Sequence, residues 1–314
     1  MYAYSVYGLT LRSDAAIDGL DPLPAAPPST DITVHLGAVP PPTPFAAVVH
    51  SGEADDPNGL PAVIVRRDGD TFRFDYRDGT RFVFGPRAGT IWCDWNSAST
   101  PEDAATYLLG PVLAFALRLR GTLALHASAV VVDGRAVVLV GRAGSGKSTT
   151  AAAFAQRGHT IISDDVVPID WRGEHPYVHP GYPRLRLWSD VAASLFGAED
   201  ALPLLTPTWE KRYLDLHGRF QPHPAPIAAF VLLGERQAHA ASVEPIGGHR
   251  GAIALLRNAS MTQLLDPQRR ADELEMISKL VDRVPLLEAR PSDDLARVGE
   301  LAERIAEAVA MIER

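Results

Sequence analysis

Residues 141–149 read GRAGSGKST, and they follow the apolar run AVVLV at residues 136–140. The pattern G-x-x-x-x-G-K-[ST] is met by Gly141, Gly146, Lys147 and Ser148, with Gly144 as a further flexible position. Glycines let successive backbone N–H groups, here from Ala143 through Gly144, Ser145, Gly146, Lys147, Ser148 and Thr149, turn inward around a polyphosphate. Lys147 then places a cation beside the β- and γ-phosphates, and the Ser148 hydroxyl can reach Mg²⁺. The string sits between an expected strand and an Ala-rich helix, KSTTAAAFAQRG, which is the context that gives a Walker A loop its meaning. ATP and Mg²⁺ are the ligands this reading expects.

Working outward, HTIISDDVVPID reads as a strand that carries Asp164 and Asp165 at its tip. Asp164 lies 164 − 147 = 17 residues beyond the lysine, enough for a helix to run away from the loop and a strand to return. In a right-handed β-α-β crossover both tips share one sheet edge, so the two carboxylates are expected back at the loop. Two acids beside a triphosphate can divide the work. One holds Mg²⁺, for which Ser148 and Asp165 are the expected ligands, and one takes a proton from an acceptor hydroxyl, with Asp164 and Asp165 both open for that role.

Upstream, TLALHASAVVVDGRAVVLVG reads as two or three buried strands with a hairpin turn at Asp133-Gly134, and His126 falls among its apolar residues. Downstream, Arg184, Arg186, Lys211 and Arg212 are cations able to clamp a phosphate or a substrate carboxylate. His175 and His179 have helical spacing, but Pro176 and Pro180 disfavour a helix, so no metal site is read there. Residues 225–314 supply another buried strand, IAAFVLLGE, helices at GAIALLRNAS and DPQRRADELEMISKLVDRV, a short strand PLLEAR and an amphipathic terminal helix from Ser292 onward.

The first 98 residues have the character of a β-rich unit. YAYSVYGLTL reads as a strand, DITVHLG as another, and residues 62–85 as three strands parted by Asp68-Gly69 and Asp78-Gly79, a meander. The Pro-rich pieces LDPLPAAPPST and VPPPTPF are loops. Thr100 caps a helix that opens on Pro101 and runs to about Arg120, linking this unit to the rest. The organisation expected is therefore an α/β protein: a β-rich α+β domain over 1–98, a linking helix over 99–120 and a P-loop domain over 121–314.

A net charge of −8 leaves no basic field for DNA or RNA, so no nucleic-acid partner is expected. The single cysteine, Cys93, cannot form an internal disulfide and suits a reducing compartment, which points to the cytoplasm. The N-terminus lacks the basic start and apolar run of a signal peptide, and no stretch of about 18 apolar residues suggests a membrane span. Oligomeric state is open, homo-oligomers included.

The block LHASAVVVDGRAVVLVGRAGSGKSTTAAAFAQRGHTIISDDVVPID resembles the catalytic core of the HPr kinase/phosphorylase family, a P-loop fold akin to phosphoenolpyruvate carboxykinase. The family's histidine before the loop, its RGH after the helix and its Asp pair are matched by His126, by Arg157, Gly158 and His159, and by Asp164 and Asp165. The resemblance implies catalytic roles for His126, Lys147, Asp164 and Asp165, one Asp activating a serine hydroxyl and His126 tuning it. The family's Glu-Ile-Arg-Gly signature is replaced here by HPGYPRLRLW. The whole-chain layout is similar to a divergent branch found in bacterial peptide maturation, including kinases of the C-terminal serine of lasso peptide precursors. It implies transfer of the γ-phosphoryl group of ATP to a serine of a peptide or small protein. Free serine or another small hydroxyl metabolite is the alternative acceptor, and a non-catalytic ATP-binding regulator the alternative class.

Overall fold

The computed structural model describes residues 1–40, 45, 47–52 and 61–312, and the chain forms two compact units. Unit 1 comprises Met1–Gly121 with two short returning segments, Thr206–Thr208 and Met261–Asp266. Its strands are β1 (Tyr2–Val6), β2 (Leu9–Ser13), β3 (Ile32–Leu36), β4 (Ala47–Ser51), β5 (Val63–Asp68), β6 (Thr71–Tyr76), β7 (Arg81–Phe84) and β8 (Thr90–Asp94). They form one sheet in the order β1-β2-β3-β8-β7-β6-β5-β4.

The meander expected over residues 62–85 holds as β5, β6 and β7, and β4 and β8 extend it, all neighbours pairing antiparallel. The stretch YAYSVYGLTL is instead a hairpin, β1 and β2, turning at Tyr7 and Gly8 with φ of 59° and 77°. Both turn residues are left-handed, the geometry that matches strand twist, and Tyr7 accepts it while its hydroxyl donates to Leu109 O at 2.7 Å. β3 then runs parallel to β2 and β8, so the Pro-rich segment LDPLPAAPPST belongs to a crossover rather than a tight turn. The second Pro-rich loop, VPPPTPF, falls largely outside the described residues.

Thr100 caps α1 (Pro101–Tyr107) in a reciprocal box, its hydroxyl accepting from Asp103 N and Asp103 accepting from Thr100 N. The single helix expected to Arg120 is interrupted. A wider turn at Leu108–Val112 contains Gly110 at φ −102°, ψ −111° and Pro111, which lacks an N–H, before α2 (Leu113–Leu119) resumes. Phe115 of α2 packs against Phe72, Phe74 and Phe84 at centroid distances of 4.9, 5.3 and 5.3 Å, which seats the helix on the unit 1 sheet.

Unit 2 is built on β9 (Leu123–Leu125), β10 (Ala127–Val132), β11 (Arg135–Val140), α3 (Lys147–Gln156), β12 (Thr160–Asp164), β13 (Val167–Arg172), β14 (His175–Val178), β15 (Arg184–Leu187), α4 (Ser189–Phe196), β16 (Arg212–Asp215), β17 (Ala225–Leu233), β18 (Ser242–Pro245), α5 (Gly248–Asn258), α6 (Pro267–Arg283), β19 (Leu286–Arg290) and α7 (Val298–Ile312). The α/β class read from the sequence holds. Within the main sheet, β10 lies between β11 and β12 and is antiparallel to both, while β11, β17 and β19 run parallel.

The strands beside the loop are mostly apolar because both faces are covered. Val130, Val137 and Leu139 face a core shared with Phe154 of α3 and Ile305 of α7. Ala129, Val138 and Val140 face the opposite core with Leu255 of α5 and Ile277 of α6. β11 and β12 run parallel with the antiparallel β10 between them, so the ends of β11 and β12 and the start of β10 meet at one edge. That edge carries the site. Among the described residues no helix is long and apolar enough to cross a membrane.

Candidate active site

Three backbone ends converge on a cleft of about 320 Å³. The end of β11 delivers the glycine-rich loop, the end of β12 delivers Asp164 and Asp165, and the start of β10 delivers His126 and Ser128. Gly144 and Gly146 hold φ of 76° and 98°, conformations that turn successive N–H groups to one side, and Gly146 is the N-cap of α3. The first amides of α3 have no intrahelical acceptor and form the positive end of its dipole. A Cβ at Gly144 would meet nothing within 4 Å, so the loop is open on that side. Ser145 Oγ is buried without a hydrogen-bond partner, and Lys147 Nζ donates to the loop carbonyls of Gly141 at 2.8 Å and Arg142 at 3.2 Å. Loop amides and a folded-back lysine are donors that fit a polyphosphate.

Asp164 is buried, 5% exposed, and its carboxylate is fully engaged. Oδ1 accepts from Ser128 Oγ at 2.6 Å and from Ser148 Oγ at 2.9 Å, and Oδ2 accepts from Arg186 N at 3.1 Å. Burial raises its pKa, and the charge of Asp165 adds to the rise against the pull of those donors. Asp165 adopts φ 69°, a left-handed conformation that Asp tolerates, which swings its side chain towards His126. His126 Nδ1 lies 3.1 Å from Asp165 O and 3.2 Å from Oδ1, and Arg186 Nη1 donates to Oδ2 at 3.1 Å. Burial works to raise this carboxyl too, but His126, Arg186 and Lys211 outweigh it and hold the pKa well below the usual range. Two adjacent acids are thus pushed apart in opposite directions, the arrangement by which sites assign different tasks to like groups.

Among the expected cations, Arg186 and Lys211 line the cleft. Arg184 and Arg212 are directed elsewhere. Arg184, two residues back along β15, lies over the Tyr213 ring at 4.3 Å, and Arg212 donates to Leu202 O at 2.9 Å. Lys211 immediately precedes β16 and Arg212 opens it, so the extended backbone sends the two side chains to opposite faces. Ser128, Trp188 and Arg236 also line the cleft and were not singled out in the sequence. A serine inside the buried run HASAVVV was the available signal, because a fully buried hydroxyl demands a partner. Among the described residues no group of three or more His, Cys, Asp or Glu side chains is placed to hold a metal by itself. The donors that suit Mg²⁺ are oxygens, the Ser148 hydroxyl and the Asp164 carboxylate that it contacts.

Residues 118–181 match the family model of the HPr Serine kinase C-terminal domain. The HPr kinase/phosphorylase of Lactobacillus delbrueckii subsp. bulgaricus is 37% identical over 94 residues, covering 28% of this chain and 29% of that protein. That of Bacillus pumilus is 44% identical over 52 residues, covering 17% of each. These curated relatives are therefore matched over less than a third of their length. The solved Hpr(Ser) kinase/phosphatase from Coxiella burnetii aligns over 61% of this chain and 99% of its own, with 14% identity and a TM-score of 0.34.

Proposed function

We propose that this member of the HPr kinase-like family is an ATP-dependent kinase that transfers the γ-phosphoryl group to a serine hydroxyl of a peptide or small protein. The C-terminal serine of a lasso-type precursor peptide is the acceptor the chain's layout suggests. The observation that carries the reading is the convergence of the loop lysine, the Ser148–Asp164 contact and the His126–Asp165–Arg186 group on one cleft.

Lys147 and the amides of residues 143–149 bind and orient the phosphates. Mg²⁺, when bound, neutralises phosphate charge and holds the triphosphate in place. Ser148 and Asp164 are the side chains that would hold it, Asp164 in place of the Asp165 expected from the sequence. Two facts favour that division. Asp164 already contacts the loop hydroxyl and is 5% exposed, whereas the Asp165 side chain is 25% exposed and His126 beside it 46%. An incoming serine therefore reaches Asp165, which orients the hydroxyl and accepts its proton, with His126 and Arg186 fixing the carboxylate. A low pKa suits this task because proton transfer is late in a loose phosphoryl-transfer transition state and alignment of the nucleophile matters more.

Asp165→Asn tests the reading. Turnover should fall about 10²–10⁴-fold while ATP affinity stays near wild type, as expected for loss of a positioned base. Retained turnover would remove Asp165 from the chemistry, and a protein that binds ATP but never turns it over even as wild type would be a nucleotide-dependent regulator.

A further inference from the structure

Lys211 faces the cleft that holds Lys147, Asp164 and Asp165, and it differs there from Lys147 and Arg186. Lys147 donates to two loop carbonyls, and Arg186 is held by Asp165 and Tyr182. The Lys211 ammonium has no hydrogen bond and no carboxylate within 4.0 Å among the described residues. It lies over the face of Trp188, 4.7 Å from the ring centroid. The backbone beneath it is fixed: Lys211 O accepts from Leu205 N at 2.8 Å, and Glu210 O accepts from Ser189 Oγ at 2.6 Å. A half-buried ammonium on an anchored backbone, near two carboxylates but hydrogen-bonded to neither, is a costly arrangement unless an acceptor comes to it. Burial lowers its pKa, with Asp165 and Asp164 opposing, and its charge in turn lowers that of Lys147, so the two ammonium groups feel each other across the cleft.

Resting on the kinase reading above, we infer that Lys211 is a catalytic residue that stabilises the phosphoryl group in transit, acting from the acceptor side opposite Lys147. During transfer the bond from the γ-phosphorus to the β,γ-bridging oxygen breaks and a bond to the serine oxygen forms. The serine proton passes to Asp165, and ADP leaves with the bridging oxygen. Negative charge spreads over the three equatorial oxygens, and a cation already in place there acts without reorganisation. Trp188 keeps the ammonium in position by its ring face.

The test needs no identified acceptor, because ADP with aluminium fluoride and Mg²⁺ imitates the phosphoryl group in flight. Lys211→Met, similar in length and uncharged, should bind ADP within about threefold of wild type and lose about 100-fold or more in affinity for ADP–aluminium fluoride. Lys211→Arg should recover most of that loss. Equal tight binding of ADP–aluminium fluoride by Lys211→Met would overturn the inference, as would a parallel loss of ADP binding, which would make Lys211 a ground-state or structural residue. Failure of the wild-type protein to bind ADP or ATP at all would instead refute the kinase reading.

Discussion

Asp164 and Asp165 adjoin in sequence and occupy opposite electrostatic environments, and the difference arises from one backbone torsion. Asp164 ends β12 with its carboxylate turned to buried hydroxyls, while φ 69° at Asp165 directs the next carboxylate to His126 and Arg186. The consequence for pH follows from the depressed pKa of Asp165. A carboxyl whose folded value lies below its unfolded one contributes stability at pH above the ordinary carboxylate range, and loses it as pH falls through the folded value. Arg186→Gln removes one of the groups that lower it, so the carboxyl moves back up. Acid unfolding followed by circular dichroism should then shift to higher pH than in wild type; an unchanged midpoint would mean the ion pair does not couple to folding. At this scale the sequence was informative about the loop, the Asp pair and His126. It could not choose between Lys211 and Arg212, because which of two consecutive side chains faces a cleft depends on strand register.

Among the elements, α3 matters most, because it carries the loop at one end and its burial at the other. Phe154 is fully buried among Val130, Leu139 and Ile305 and meets the His159 ring edge-on at 5.3 Å. Phe154→Ala should destabilise the protein by about 3–5 kcal/mol through lost burial and an unfilled cavity. Urea unfolding reads this directly, and a loss below about 1 kcal/mol would show that the helix is held mainly by its ends. The strands flanking the loop were legible because both faces are buried and Asp-Gly turns mark their ends. The Tyr7-Gly8 hairpin was not, since tyrosine is an uncommon turn residue that is retained here by burial and its bond to Leu109 O. Gly110 and Pro111 were visible as helix breakers, but the apolar run around them reads as one continuous helical face. The insertion of β10 between β11 and β12 left no local mark, although it is what brings Ser128 to Asp164.

Across the whole molecule, unit 1 is completed by residues 206–208 and 261–266, far along the chain, and nothing in their composition announces it. Thr208 Oγ1 donates at 2.6 Å to Asp103, the buried acid of the α1 capping box. Thr208→Val removes that charge-assisted bond and should reduce stability by about 1.5 kcal/mol; if thermal unfolding is unchanged, the returning segment does not support the cap. Phosphoryl transfer in the cleft at the end of β11 is the proposed role of the whole chain. Its most direct test is intact mass spectrometry after incubation with Mg-ATP and, in parallel, a serine-terminated precursor peptide, HPr and free serine, with Lys147→Ala as control. Wild type should add one phosphoryl mass to the peptide, and Lys147→Ala should add none. ATP bound with its γ-phosphoryl group never released, to any acceptor or to water, would contradict it.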